Sequence, residues 1–275
     1  MSARPLVLLT DYGATDFYAG VTRAVLCAAS PASRVIDLQH GLPAHDIAAA
    51  SFVLARSLRY LPADVVIVVV VDPGVGTARR GLIVTLDARV MVGPDNGFAS
   101  DALALHGAGG SPPEFLAIDE SAAGNVTGVK AEGTTFHGRD IFAPVAAAIA
   151  RGVDPRRMGD PVHGITMLHD VPGVSIDGAC VRSTARYVDH FGNVLSDIPL
   201  AVIRRVFGDE AGVRVVVAGR DLGALRRTYA DGAPGEPMAL INGWGLVEAA
   251  VNGARAIDHL GNGAPRSIRF EVRGR

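Results

Sequence analysis

An N-terminal α/β domain with a central, mostly parallel sheet, followed by a smaller β-rich domain, is the architecture this sequence predicts. Three observations carry that expectation. Strand-length apolar runs alternate with helical patterns through the first half of the chain, as in a sheet covered on both faces. Residues 151–175 lose periodicity and collect Pro and Gly, which marks a linker. Beyond it, short β-branched runs recur at hairpin spacing. The expected domains are residues 1–165 and 172–275.

Taken in order, "PLVLLT" (5–10) reads as a buried strand, and "TDFYAGVTRAVLCAAS" (15–30) as a helix with Thr15 or Asp16 as N-cap. "RVIDL" (34–38) is a second strand, and residues 45–59 carry apolar positions at helical spacing. "DVVIVVVV" (64–71) is a continuous β-branched run suited to a central, doubly covered strand. "GLIVTL" and "RVMVG", separated by Asp87-Ala88, suggest a hairpin, and "PDNG" (94–97) is a turn. A helix around 98–106, a short strand near "EFLAID" and an alanine-rich helix from Ile141 to Ala150 complete the first domain. In the second, "ACVRSTARYVD", "NVLSDI", "VRVVVAG", "PMALIN" and "SIRFEV" read as strands, joined to one helix near 245–253.

The bulk composition narrows the function classes. The chain has 275 residues, 49% of them hydrophobic and 20% charged, which fits a globular domain pair without long disordered tracts. A net charge of -2 and the absence of basic clusters interleaved with aromatics argue against nucleic acid as a partner. No apolar run reaches the length of a membrane span or signal core, so no membrane partner is expected. Cys27 and Cys180 stand far apart, as reduced thiols of a cytoplasmic protein do.

Polar residues gather at strand ends, where α/β sheets place their ligands. Asp11 ends the first strand, Asp72 ends the valine strand, and Asn96 lies in the turn after "VMVGPDNG". Capping of nearby helices and turns is the plainer role for such aspartates. "VDPGVGTARRG" (71–81) lacks the GK[ST] ending of a phosphate-binding loop. Its Arg79 could orient Asp72, a small anion or a water, or form a mere surface ion pair. "TTFHGRDIF" places His137 just before a helix, next to Phe136 and with Arg139 and Asp140 beside it. There is no HxH, HExxH or Cys cluster at ligand spacing, so no metal is expected. In "YVDHFGNVLSDI", Asp189 and Asn193 could receive an ammonium and a purine edge, or could simply build an Asx-rich turn. "LINGWGLVEAAVN" ends a strand at Asn242-Gly243 and then reads as opening a helix, whose free N–H groups would suit a carboxylate. Trp244, the sole tryptophan, could be lid or core.

Together, "LLTDYG", "VDPGVGTARRG", "GPDNG", "TTFHGRD", "DHFGNVLSDI" and "INGWGLVEAAVN" closely resemble the S-adenosyl-L-methionine (SAM) hydrolase, or SAM hydroxide adenosyltransferase, family, relatives of fluorinase and chlorinase. The motifs match in order from Asp11 to Asn252. The resemblance implies a β-barrel-like second domain and a homotrimer whose active sites lie at subunit interfaces. It implies SAM as substrate, with no cofactor: water, held by the triad Asp72, Arg79 and His137, attacks C5′ to give adenosine and methionine. Asp11 would hold the ribose hydroxyls, Asp189 the methionine ammonium and Asn193 the adenine edge. Tyr229 would lie against the adenine, and the Asn242-Gly243 backbone would meet the methionine carboxylate. Asn96, Phe136 and Trp244 are further expected substrate contacts. The chain lacks the loop that fluorinases insert after the "GT" segment, and Asp72 and Gly138 replace the Tyr and Ser of the halide enzymes. Trp244 stands where the halogenating relatives have Arg. A chlorinase-like halogenase, a non-catalytic SAM- or adenosine-binding protein and a metal-dependent hydrolase using Asp11, Asp72 and His137 are the alternatives.

Overall fold

A computed structural model describes residues 3–107, 110–130, 133–169, 171, 173–261 and 265–274. The chain divides into two units, residues 1–168 and 169–275.

The N-terminal unit begins with β1 (Leu6–Thr10), α1 (Tyr18–Ala29), β2 (Val35–Gln39), α2 (Ile47–Ser57) and β3 (Val66–Val70). The hairpin β4 (Gly81–Leu86) and β5 (Arg89–Pro94) follows, then α3 (Ser100–His106), β6 (Glu114–Ile118), α4 (Glu120–Thr127), α5 (Ala143–Ala150) and β7 (Gly159–Pro161). The sheet order is β2-β1-β3-β5-β4-β6-β7. Pairing is parallel from β2 to β5 and antiparallel from β5 to β7. Leu6, Leu8, Val66, Val68 and Val70 join α1 and α5 residues in one core cluster. Their alternating neighbours Val7, Leu9, Ile67 and Val69 are also fully buried, so the central strands are covered on both faces, as a continuous valine run requires. The expected Asp87-Ala88 turn is present, with Asp87 at φ 51 as a tight two-residue hairpin demands.

Several local expectations are corrected. Helix α1 starts at Tyr18 behind Phe17, without a side-chain cap from Thr15 or Asp16. Aromatic packing decides that start: Phe17 stacks on Tyr18 at 4.6 Å, and Tyr18 meets Tyr12 and Phe136. Helix α4, unforeseen in the sequence reading, is capped by Asp119, which accepts from Ser121 and Ala122, and ends at left-handed Gly128. Part of the expected linker is sheet, since β7 pairs with β6. Thr166 N then donates to Asp95 Oδ1 at 2.7 Å, pinning the segment that follows β7.

The C-terminal unit contains β8 (Ser175–Asp177), β9 (Cys180–Val188), β10 (Val194–Pro199), α6 (Leu200–Phe207), β11 (Val213–Val217) and β12 (Arg220–Asp221). It ends with β13 (Pro237–Ile241), β14 (Leu246–Val251), α7 (Ala256–Leu260) and β15 (Arg269–Gly274). Its antiparallel strands run β12-β11-β15-β9-β10-β14-β13, with β8 added beside β9. Strand β9 is the bend: residues 180–184 pair with β15, and 185, 187 and 188 with β10. The sheet therefore curls into a half-barrel around Val181, Ala185, Val215, Val217, Val247 and Phe270, all fully buried.

The helix expected near 245–253 is instead strand β14. "LVEAAV" has helix-favouring residues, but six of them cannot nucleate a stable isolated helix. Gly245 (φ 76) and Gly253 (φ 74) end the segment on both sides, and β10 and β13 satisfy its backbone.

Candidate active site

In the N-terminal sheet the chain leaves β1 toward β2 and returns past it to β3. The direction of winding therefore reverses between β1 and β3, the point where such sheets open a crevice at the strands' carboxyl ends. Asp11 follows β1 and Asp72 lies two residues beyond β3. Both line a pocket of about 660 Å³ with Tyr12, His45, Phe136 and His137.

The loop after β3 brings Arg79 back onto Asp72. Val75 N donates to Asp72 O at 3.2 Å, and Thr77 closes on Gly74 O through both its amide (3.1 Å) and its hydroxyl (2.7 Å). Gly76 sits at φ +78 against the Thr134 carbonyl, a conformation that favours glycine. Arg79 Nε donates to Asp72 Oδ1 at 2.9 Å and its Nη2 donates to Oδ2, a bidentate pair. The same Nη2 lies 2.7 Å from His137 Nδ1. A guanidinium has only donors, so Nδ1 must accept, and the ring is neutral with its proton on Nε2. Burial, and then the Arg79 charge, push the His137 pKa below its ordinary value, against the opposing pull of Glu120, Asp72 and Asp140. The side chains of Arg79 and Asp72 are only 11% and 6% exposed, so solvent screens the pair little.

Beneath this triad the chain winds as a π-helical turn, Gly138–Phe142, ahead of α5. It sets His137 at its entrance and the fully buried Phe142 below, with the Arg79 guanidinium 5.3 Å from the Phe142 ring centre. Such turns concentrate at functional sites. A Cβ on Gly138 would overlap the Tyr12 hydroxyl oxygen, so glycine is what lets Tyr12 reach this wall. Burial, followed by the charges of Asp11, Asp72 and Asp140, raises the Tyr12 pKa and keeps the phenol protonated, although a Thr22 hydrogen bond opposes.

Asp11 Oδ2 accepts from His45 N at 2.8 Å. His45 has φ 65, a strained geometry for a non-glycine residue of the kind found at functional sites. Asn96 is not among the residues lining this pocket: its Nδ2 donates to Val71 O at 2.8 Å, fixing the end of the valine strand. Sequence reading missed Tyr12, Tyr18, His45 and Arg139 as pocket residues. The signal available for the first two was the aromatic residues flanking "DYGATDFY".

A second pocket of about 660 Å³, within the C-terminal unit, is lined by Asp189, Phe191, Asn193, Tyr229 and Arg255, among others. Asp189 accepts from Asn193 N (2.8 Å) and Asn193 Nδ2 (3.0 Å), so the two side chains close the turn between β9 and β10 on each other. The turn between β13 and β14 is also organised by an amide. Asn242 Oδ1 accepts from Trp244 N (2.9 Å) and Leu246 N (3.1 Å). With β14 a strand, the helix N-terminus expected to present amides to a carboxylate does not exist here. Trp244 is 38% exposed, so it is not a core residue. Glu248, which sequence reading passed over, is 3% exposed and accepts from Tyr229 Oη at 2.7 Å and Asn242 Nδ2 at 3.0 Å.

Among the described residues no group of three or more His, Cys, Asp and Glu is placed to hold a metal ion. In the Asp72–His137 cluster the space between the two side chains is taken by a guanidinium. Among the described residues no helix is long and apolar enough to cross a membrane.

Known proteins match both units. The N-terminal model of the SAM hydroxide adenosyltransferase family matches residues 6–159, and the C-terminal model residues 184–269. A Thermus thermophilus protein named (R)-S-adenosyl-L-methionine hydrolase is 36% identical over 262 residues, covering 94% of this chain and 96% of the relative. A Salinispora tropica protein of the same name is 38% identical over 258 residues, 92% of each. Among solved structures, an uncharacterized conserved protein from Thermotoga maritima aligns with a TM-score of 0.85 at 30% identity, covering 98% of this chain and 99% of the other. Matched in both halves and along nearly its whole length, the chain belongs to the SAM hydroxide adenosyltransferase family.

Proposed function

We propose that this protein hydrolyses SAM to adenosine and L-methionine by attack of water at C5′ of the ribose. The observation that carries the reading is the Asp72–Arg79–His137 cluster at the ends of the central strands, and the names of the relatives support it. The substrate brings its own leaving group. As oxygen bonds to C5′, the C5′–S bond breaks, its electron pair returns to sulfur, and methionine departs as a neutral thioether without an acid. No cofactor is needed for that step.

Water is a weak nucleophile, and the protein's task is to aim it and take its proton. Both Asp72 oxygens accept from Arg79 yet keep a free lone pair each; one of these accepts the water's proton as the C–O bond forms. The neutral His137 has its Nε2–H available to hold the water oxygen. General-base action supplies about 10²–10⁴-fold, equal to roughly 3–5 kcal/mol. Alignment of water with the C–S bond can contribute about 7–11 kcal/mol, so positioning by the Arg79-locked cluster is the larger effect.

Asp11 holds the ribose hydroxyls, with Phe136 against the sugar. Asp189 receives the methionine ammonium, Asn193 and Tyr229 the adenine, and the Asn242-Gly243 turn, capped by Trp244, the carboxylate. Each unit exposes aromatic rings at its own pocket: Phe17 (67%) and Tyr18 (42%) in one, Phe191 (72%) and Tyr229 (45%) in the other. That exposure supports a homotrimer in which neighbouring copies complete each site. The unpaired Cys27 and Cys180 support a cytoplasmic setting.

Incubation with SAM in halide-free H₂¹⁸O tests the reaction. Methionine and adenosine labelled at the 5′-hydroxyl are expected. A 5′-halo product on adding chloride, or a retained ligand without turnover, overturns it.

A further inference from the structure

We propose that Glu248 is a positioning residue that couples the two ends of the substrate site in the C-terminal unit. The inference rests on the substrate roles given above for Tyr229 and Asn242. Glu248 sits in the middle of β14, opposite Leu195 of β10 and Leu240 of β13. A buried carboxylate in a sheet interior is unfavourable unless hydrogen-bonded, and an apolar residue there would serve stability as well or better. Its neighbours on β14, Val247 and Ala249, are apolar and fully buried.

Its oxygens reach Tyr229, which lines the C-terminal pocket, and Asn242, which carries a substrate role proposed above. Oε1 accepts from Tyr229 Oη at 2.7 Å and Oε2 from Asn242 Nδ2 at 3.0 Å. Tyr229 is 45% exposed, so its hydroxyl is anchored while ring surface remains open to stack on a base. Asn242 uses its other amide atom, Oδ1, to hold the Trp244 and Leu246 amides. One carboxylate therefore fixes both the ring assigned to adenine and the turn assigned to the amino-acid end. Burial, then the Asp189 charge, raise the Glu248 pKa, opposed by these two hydrogen bonds, so the bonds are what favour the charged form.

The test uses Glu248→Gln in the full chain. Glutamine carries no charge and accepts from only one partner; its amide meets the Tyr229 hydroxyl only by reversing that bond, so both charge-assisted contacts are weakened. SAM turnover should show KM raised about tenfold with kcat changed less than threefold, on the scale of one charged hydrogen bond lost. Competitive inhibition constants for adenosine and for methionine should both rise. Tyr229→Phe should weaken adenosine alone, and the double variant should bind adenosine no worse than Glu248→Gln. Unchanged inhibition constants for both fragments, or a loss confined to kcat, would overturn the proposal. If Glu248→Gln does not fold, Glu248→Asp takes the same measurements, with the same deciding outcomes. Turnover by the parent protein is scored separately: its absence defeats the hydrolase reading, while calorimetric binding of adenosine and methionine still decides the role of Glu248.

Discussion

In the N-terminal unit the pocket's charged groups come from strand ends and a Gly-rich loop, and they meet as a guanidinium locked between a carboxylate and an imidazole. In the C-terminal unit Asp189 comes from a hairpin turn and Glu248 from the middle of β14, and each carboxylate is tied to amide or phenol donors. A parallel sheet exposes several strand ends side by side, so residues distant in sequence converge there. An antiparallel sheet offers turns, whose polar groups close locally and present a rigid shape. The first arrangement suits bond-making and the second suits recognition.

Substitutions in the two pockets should therefore separate kcat from KM. The largest effect is expected for Asp72→Asn: kcat should fall about 10²–10⁴-fold with KM changed only a few-fold, measured by steady-state adenosine release. Full turnover by this variant would remove Asp72 as proton acceptor. Asp189→Ala should do the converse, raising KM roughly 10–100-fold, the scale of a lost hydrogen bond to a charged group, with kcat nearly intact. A matching loss of kcat would erase the contrast between the units.

Next in size is Gly138→Ala, whose methyl displaces Tyr12. A destabilisation of about 1–3 kcal/mol is expected from overpacking, and chemical denaturation of the isolated variant measures it. Adding Tyr12→Phe should recover part of the loss, because the clashing atom is the hydroxyl oxygen.

The smallest effect is a pH limb. His137 has its pKa depressed, so the neutral, Arg79-accepting ring persists to lower pH than a free imidazole and is lost as pH falls through the depressed folded value. The sign follows from the unfolded chain binding the proton first, which makes acidification destabilising over that window. The acid limb of kcat/KM against pH should have its midpoint below 6.5, and a midpoint above that value would contradict a neutral ring accepting from Arg79.

Much of the N-terminal architecture was legible because its signals are local. The valine run, the Asp87-Ala88 turn and the aspartates at the ends of β1 and β3 each announce themselves over a few residues. His45 was not legible, because its place beside Asp11 depends on a loop after β2 folding back across β1. Glu248 was hidden for a different reason: "LVEAAV" reads as helix, and only pairing with β10 and β13 turns its carboxylate toward Tyr229 and Asn242.

The π-helical turn at Gly138–Phe142 carries a consequence for the reading frame of side chains along that helix. A π turn is the winding left when an α-helix accommodates one extra residue. In an α-helix one added residue would turn everything beyond it by about 100°, whereas a π turn takes up the extra residue within itself. The winding of α5 is thus kept while His137 stays at the entrance of the turn. At this position the chain carries one residue more than a regular turn holds without passing the difference on to the helix that follows.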